Sequence, residues 1–215
     1  MAATTRAARR GGYETEREDV QALVPRSATR ILDLGCASGA LGGALKRRQG
    51  AEVVGIELDP EYARDAEERL DLVVCADVVA GLDEDLGDFD CLVAADVLEH
   101  LVDPWDALRR AVGRLRPGGA VVVSLPNVRY WETFRELGWR GRWPRRGAGL
   151  FDATHLRWFA LADMRELLEQ AGIEVVEVSG QLWFEGRLRR PAELLARTPL
   201  APFLYGQYVL RGVRR

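Results

Sequence analysis

Two rhythms of apolar and polar positions alternate along this chain. Short, almost continuous apolar runs recur at RILDLG (30–35), AEVVGIEL (51–58), LDLVVCADV (70–78), FDCLVAAD (89–96) and AVVVSLP (120–126). Runs of that length without a polar face mark strands covered on both sides. Between them lie stretches with helical spacing: one following Gly39 to about Arg48, one opened by Pro60, and DPWDALRRAVGRLRPGG (103–119), with Asp103 as its cap and Pro-Gly-Gly as its stop. Short helices are expected at 14–23 and 161–172, the second ended by Gly172. EVVEVSG (174–180) and QYVLRGVRR (207–215) read as two further strands. This alternation predicts an α/β fold, a doubly wound, seven-stranded, mostly parallel sheet. Residues 1–12 lack periodicity and read as a disordered arm, which leaves 13–215 as a single domain with 129–160 as a lid inserted on the substrate side.

Composition narrows the class. The 215 residues carry 30 basic and 33 acidic side chains, a net charge of −3, so no general attraction to nucleic acid or membrane is expected. The charge is unevenly placed: residues 1–128 hold 15 basic against 23 acidic groups, and residues 129–215 hold 15 against 10. Cys36, Cys75 and Cys91 sit in apolar runs without metal-ligand spacing, which fits buried thiols in a reducing, cytoplasmic setting. No apolar run reaches the length of a membrane span.

The chemistry begins at ILDLGCASG, where a strand, an acid (Asp33) and a glycine-rich turn precede a helix. Such a turn lets backbone approach a ligand closely, and the helix start favours an anion. Glu57, 18 residues after Gly39 at the end of the second apolar run, is placed to accept from both hydroxyls of a ribose. Asp77 and Val78 end the third run, where an adenine edge would be met. The spacing of Gly35 and Gly39, with Ala37 between them, fits neither the dinucleotide fingerprint nor a Walker A loop.

ILDLGCASG, VVGIELDP, CADV, FDCLVAADVLEHL and LRPGGAVVVSLPN resemble, in order, the motifs of class I S-adenosylmethionine (SAM)-dependent methyltransferases. Tyr13, Arg17, DVLEHLVDPW, SLPNVRYW and GLFDATHLRWFA are similar to bacterial small-molecule and glycan methyltransferases found with glycosyltransferases. The resemblance implies a Rossmann-like sheet with a final antiparallel strand, SAM as cofactor and S-adenosylhomocysteine as product. It implies that Gly35, Cys36, Ala37 and Gly39 line the methionine end, with Asp33 close to the amino-acid moiety. Glu57 would take the ribose, Leu58 would pack on the adenine, Asp77 and Val78 would meet its edge, and Ala94, Ala95 and Asp96 would lie beneath the sulfonium. Alanine at 37 is expected to be tolerated through a negative φ.

The acceptor is expected to be a small molecule or sugar methylated on oxygen, with a glycosyltransferase as an expected partner and no nucleic acid. N- or C-methylation, or a non-catalytic SAM-binding accessory module, are the alternatives. A hydroxyl acceptor profits from a general base, and the chain has two histidines. His155 is the expected base; His100, at the mouth of the site, is a second catalytic candidate or a brace for the loop after the fourth strand. Asp152 is an alternative base or a partner orienting His155. Thr154 reads alternatively as a helix cap before LRWFAL. Asn127, Tyr130, Trp131 and Phe151 are candidate substrate contacts. A Glu-His pair like Glu99-His100 contributes to a metal site in some quinone-type O-methyltransferases. With no further ligands identifiable from spacing, no metal is expected.

Overall fold

Seven strands pair into one sheet in the order β3-β2-β1-β4-β5-β7-β6. They are β1 (Arg30–Leu34), β2 (Glu52–Glu57), β3 (Leu72–Cys75), β4 (Phe89–Ala95), β5 (Leu115–Pro126), β6 (Ile173–Leu182) and β7 (Tyr205–Arg214). The computed structural model describes residues 14–184 and 186–215; the expected arm over 1–12 and Tyr13 lie outside them. The first five strands are parallel, while β7 runs antiparallel to both β5 and β6.

Each inner strand divides its side chains between two layers. Leu32 and Leu34 of β1, Leu92 and Ala94 of β4, and Val121, Val123 and Leu125 of β5 enter one apolar layer. Ile31, Cys91, Val93, Ala120 and Val122 enter the other. That split explains why these strands read as unbroken apolar runs. The first layer packs against the helices Pro104–Gly113 and Leu161–Gln170, the second against Glu18–Leu23 and Ala40–Gln49. Asp59 and Asp103 cap their helices as side-chain acceptors, each followed by a proline in the first turn.

Three elements depart from the sequence reading. β3 stops at Cys75, because Asp77 accepts from the Val79 amide (2.9 Å) and starts a short helix, Val78–Gly81. The helix at 104 ends at Gly113, not at Pro-Gly-Gly, because Leu115 already pairs with Phe89. The chain then bulges through 116–119 before Ala120 rejoins the ladder opposite Cys91, so Pro117-Gly118-Gly119 serve a strand bulge instead of a helix stop. Two short helices, Arg189–Leu195 and Ala201–Leu204, lie in the connection to β7.

Residues 129–160, the segment expected to act as a lid, consist of one helical turn (Trp131–Thr133), a wider π-type turn (Phe134–Trp139) and irregular chain. Its small apolar core joins Tyr130, Leu150 and Phe151, with Trp143 and Phe184 packed against them. Glu136 accepts from Arg135, Arg140 and Arg142 and ties the lid's polar side together.

Candidate active site

Strand order reverses between β1 and β4, and such a switch point opens a crevice at the strands' carboxyl ends. A cavity of about 270 Å³ lies there, bounded by the glycine-rich turn, the segment after β4, the lid and β7.

The turn has left-handed backbone at three positions: Gly35 (φ +61°), Ala37 (φ +46°) and Gly39 (φ +72°). At Gly35 any side chain would also collide with Val97, whose Cγ2 lies 2.4 Å from where a Cβ would stand. Ala37 does not have the expected negative φ. Its strain is held by Glu57, whose carboxylate accepts from the Ala37 amide and from the Asp59 amide, both at 2.8 Å. Glu57 therefore fastens the glycine-rich turn to the end of β2. Asp33 is buried beneath this turn, and desolvation reinforced by the Glu57 charge raises its pKa to about 7. Burial also pushes the Cys36 thiol well up, so it is a packed, un-ionised side chain.

Asp33, Gly35, Cys36, Ala37, Ala95 and Asp96 all line the cavity. Gly39, Glu57, Leu58, Asp77, Val78 and Ala94 do not; Leu58 is instead exposed beyond the end of β2, on the same strand-end rim. Asp96 also has left-handed backbone (φ +58°) and accepts from Arg17, Gln207 and Ser124. Arg17 (φ +47°) donates further to Asp19 and Ser124, which pins the amino-terminal helix to the cavity wall.

Opposite the turn, Glu99, His100 and His155 offer ligand atoms that all lie within 4.8 Å of one another. The backbone brings them together: Leu156 and Arg157 both donate to the Glu99 carbonyl, at 2.8 and 3.0 Å. Glu99 is 1% exposed, and neither carboxylate oxygen has a hydrogen-bond partner. Burial, with the Asp96 charge adding to it, holds its pKa well above the usual range. His155 Nδ1 faces the Leu150 carbonyl at 3.3 Å, an oxygen that only accepts, so Nδ1 carries the proton. Its Nε2 lone pair then points toward Glu99 Oε1, 3.9 Å away. Desolvation lowers the pKa of both histidines, so both are neutral near pH 7.

This geometry corrects several expectations. Three ligands converge where spacing had identified too few. The Asp152 carboxylate accepts from the Thr154 hydroxyl, which also contacts His100 Nδ1, and has no hydrogen bond to the His155 ring; the Asp152 carbonyl accepts from the His155 amide at 3.2 Å. Thr154 caps no helix; its hydroxyl lies between the Asp152 and His100 side chains. Asn127 is buried with its amide donating to the Pro202 and Tyr205 carbonyls, and Tyr130 and Phe151 belong to the lid core. Trp131 is half-exposed beneath the Arg135 guanidinium. None of these four lines the cavity. Trp183, Gln207, Glu99 and the Gly147–Gly149 stretch do, and sequence reasoning gave none of them a site role. Only Glu99 carried a signal, as half of the Glu-His pair.

The family profile described as "Methyltransferase domain" matches residues 7–178. The chain belongs to the SAM-dependent methyltransferase family. It is 32% identical over 199 residues to a ubiquinone biosynthesis O-methyltransferase of Azorhizobium caulinodans, covering 88% of this chain and 75% of that protein. A protein of the same name from Xanthomonas axonopodis pv. citri is 30% identical over 194 residues, 87% of this chain and 80% of that one. Among solved structures, a SAM-dependent methyltransferase from Archaeoglobus fulgidus superposes with a TM-score of 0.69 at 18% identity, covering 96% of this chain and 97% of that chain. One from Thermotoga maritima, described as a possible histamine N-methyltransferase, gives 0.65 at 20% identity, covering 97% and 92%. As a SAM-dependent methyltransferase the chain has SAM for its cofactor. No helix among the described residues is long and apolar enough to cross a membrane.

Proposed function

We propose that this methyltransferase transfers the methyl group of SAM to a hydroxyl oxygen of a small molecule bound between the glycine-rich turn and Trp183. The observation that carries this reading is the convergence of Glu99, His100 and His155 on the cavity wall across from Gly35–Ala37. Two neutral imidazoles and a buried carboxylate with unpartnered oxygens form an electron-rich donor set that fits a divalent cation. Such an ion, when bound, lowers the pKa of a hydroxyl on it and makes the oxygen nucleophilic near neutrality. In this reading the expectation of a metal-free site is given up, and His155 acts as a ligand instead of a general base.

The remaining work falls to the chain itself. Gly35, Cys36, Ala37 and Gly39 hold the methionine end of SAM, Asp33 lies near its amino group, and Glu57 takes the ribose. Leu58, Asp77 and Val78 frame the adenine, and Ala94, Ala95 and Asp96 lie under the sulfonium. Trp183 and Pro126 keep water from the acceptor side. The methyl carbon leaves sulfur as a bond to oxygen forms, the hydroxyl proton is released to bulk solvent, and S-adenosylhomocysteine remains. Alignment of donor and acceptor supplies most of the rate. An amine acceptor needs no ion to make it nucleophilic, so a cation-binding donor set favours oxygen over nitrogen. The relatives named as O-methyltransferases support the same choice. The three free cysteines suit a reducing, cytoplasmic setting.

The test is methyl transfer from SAM to phenols and catechols, sugar nucleotides and amines, each with EDTA and with Mn²⁺ or Mg²⁺ restored. We expect turnover of a phenolic hydroxyl, reduced at least 100-fold by EDTA and recovered with metal. Sugar nucleotides form the arm for the glycan reading and its glycosyltransferase partner. Preferential amine methylation, indifferent to EDTA, would overturn the proposal.

A further inference from the structure

We infer that Thr154 and Asp152 are positioning residues that fix the tautomer of His100, one of the three side chains gathered with Glu99 and His155, and leave its Nε2 lone pair free. The Thr154 hydroxyl has one proton to give. It lies 2.6 Å from Asp152 Oδ1 and 3.0 Å from His100 Nδ1. Asp152 also accepts from the Thr154 amide at 2.8 Å, so this carboxylate serves as an acceptor from both groups of the threonine. With its proton committed to Asp152, the Thr154 oxygen is an acceptor toward His100, and the hydrogen in that contact belongs to Nδ1.

His155 reaches the same state by another route, through the Leu150 carbonyl. The two rings meet edge to face with centroids 4.7 Å apart. Both are therefore protonated on Nδ1, which leaves each Nε2 a bare lone pair. A carboxylate behind a histidine ligand is a common way to set its tautomer. Here a threonine hydroxyl stands between the two and passes the donation on in the same direction, from the His100 ring to the hydroxyl and from the hydroxyl to Asp152. Asp152 and His155 lie on the carboxyl-terminal stretch of the lid, while His100 follows β4, so the relay also joins lid to sheet.

The inference rests on the cation reading for its consequence but not for its test. Long-range ¹H–¹⁵N spectra of the metal-free protein report the His100 tautomer directly. We expect Nδ1–H in the wild type and in Thr154→Ser, and loss of that single tautomer in Thr154→Val. Thr154 is exposed, so the valine variant should fold. Mn²⁺ titration of the same proteins should show affinity lowered 10–100-fold in Thr154→Val and restored in Thr154→Ser. An unchanged tautomer with unchanged Mn²⁺ affinity in Thr154→Val would overturn the inference while leaving the cation reading intact. Wild-type protein that binds no Mn²⁺, yet shows the tautomer dependence, would overturn the cation reading and uphold the inference.

Discussion

Ala37 sits where glycine would be unstrained. A left-handed L-residue costs roughly 1–2 kcal/mol, part of which glycine returns through its freer unfolded chain. Ala37→Gly should therefore stabilise the protein by up to about 1 kcal/mol, seen as a higher denaturant midpoint with an unchanged slope. Asp33 carries a different burden. Its pKa of about 7 in the folded state lies above its unfolded value, so the native protein holds a proton that the unfolded chain has lost. Stability from this group is full below about pH 4 and falls as pH rises toward 7, by a few kcal/mol in order of magnitude. Asp33→Asn should flatten that limb of the stability–pH curve and leave the variant more stable than wild type at pH 8. A parallel loss of stability with pH in both proteins would contradict the assignment. Neither property was legible from composition. Sequence pattern located Asp33 and Ala37, but the φ at one and the desolvation at the other depend on what the fold stacks around them.

At the scale of elements, the glycine-rich turn and the end of β2 act as one piece because Glu57 accepts from Ala37 and Asp59. Glu57→Ala removes two charge-assisted bonds of the turn and, in the proposed reading, the acceptors for the ribose. We expect SAM affinity to fall at least tenfold by calorimetry with the sheet intact, since Glu57 stands outside both apolar layers. Normal affinity in a folded variant would refute the ribose placement. β1, β2, β4 and β5 were legible because two-sided burial writes itself as continuous apolar sequence; β3 reads the same way although it lies at the sheet edge, with Leu72 and Cys75 exposed, against the expectation of a buried thiol at Cys75. The ends of the strands were less legible. Asp77 looked like the last residue of a strand but opens a helix, and Pro117-Gly118-Gly119 looked like a helix stop but forms a bulge, because the same residue types serve both uses. The lid carried no periodicity at all. Its aromatic residues announced a local core without revealing which of them face inward, and Tyr130 and Phe151 turned from candidate contacts into packing.

For the molecule as a whole, the cavity wall formed by Asp33, Gly35, Cys36 and Ala37 was readable because it is local, one turn at the end of β1. The rest of the lining was not, since it is assembled from the segment after β4, residues 147–155, Trp183 and Gln207, which lie far apart in sequence. The position of β7 has its own consequence for how such a molecule comes to exist. β6 touches the sheet only through β7, which follows it in the chain. Until Tyr205–Arg214 has been synthesised and threaded into place, β5 is an open edge and β6 has no neighbour to pair with. The nascent chain thus carries a nearly complete parallel sheet with an exposed apolar margin, a template for wrong pairing with other chains. Closure by that single strand ends the vulnerable interval. It is also a long-range contact formed late, so the growing chain's exposure to aggregation is set by how soon β7 arrives.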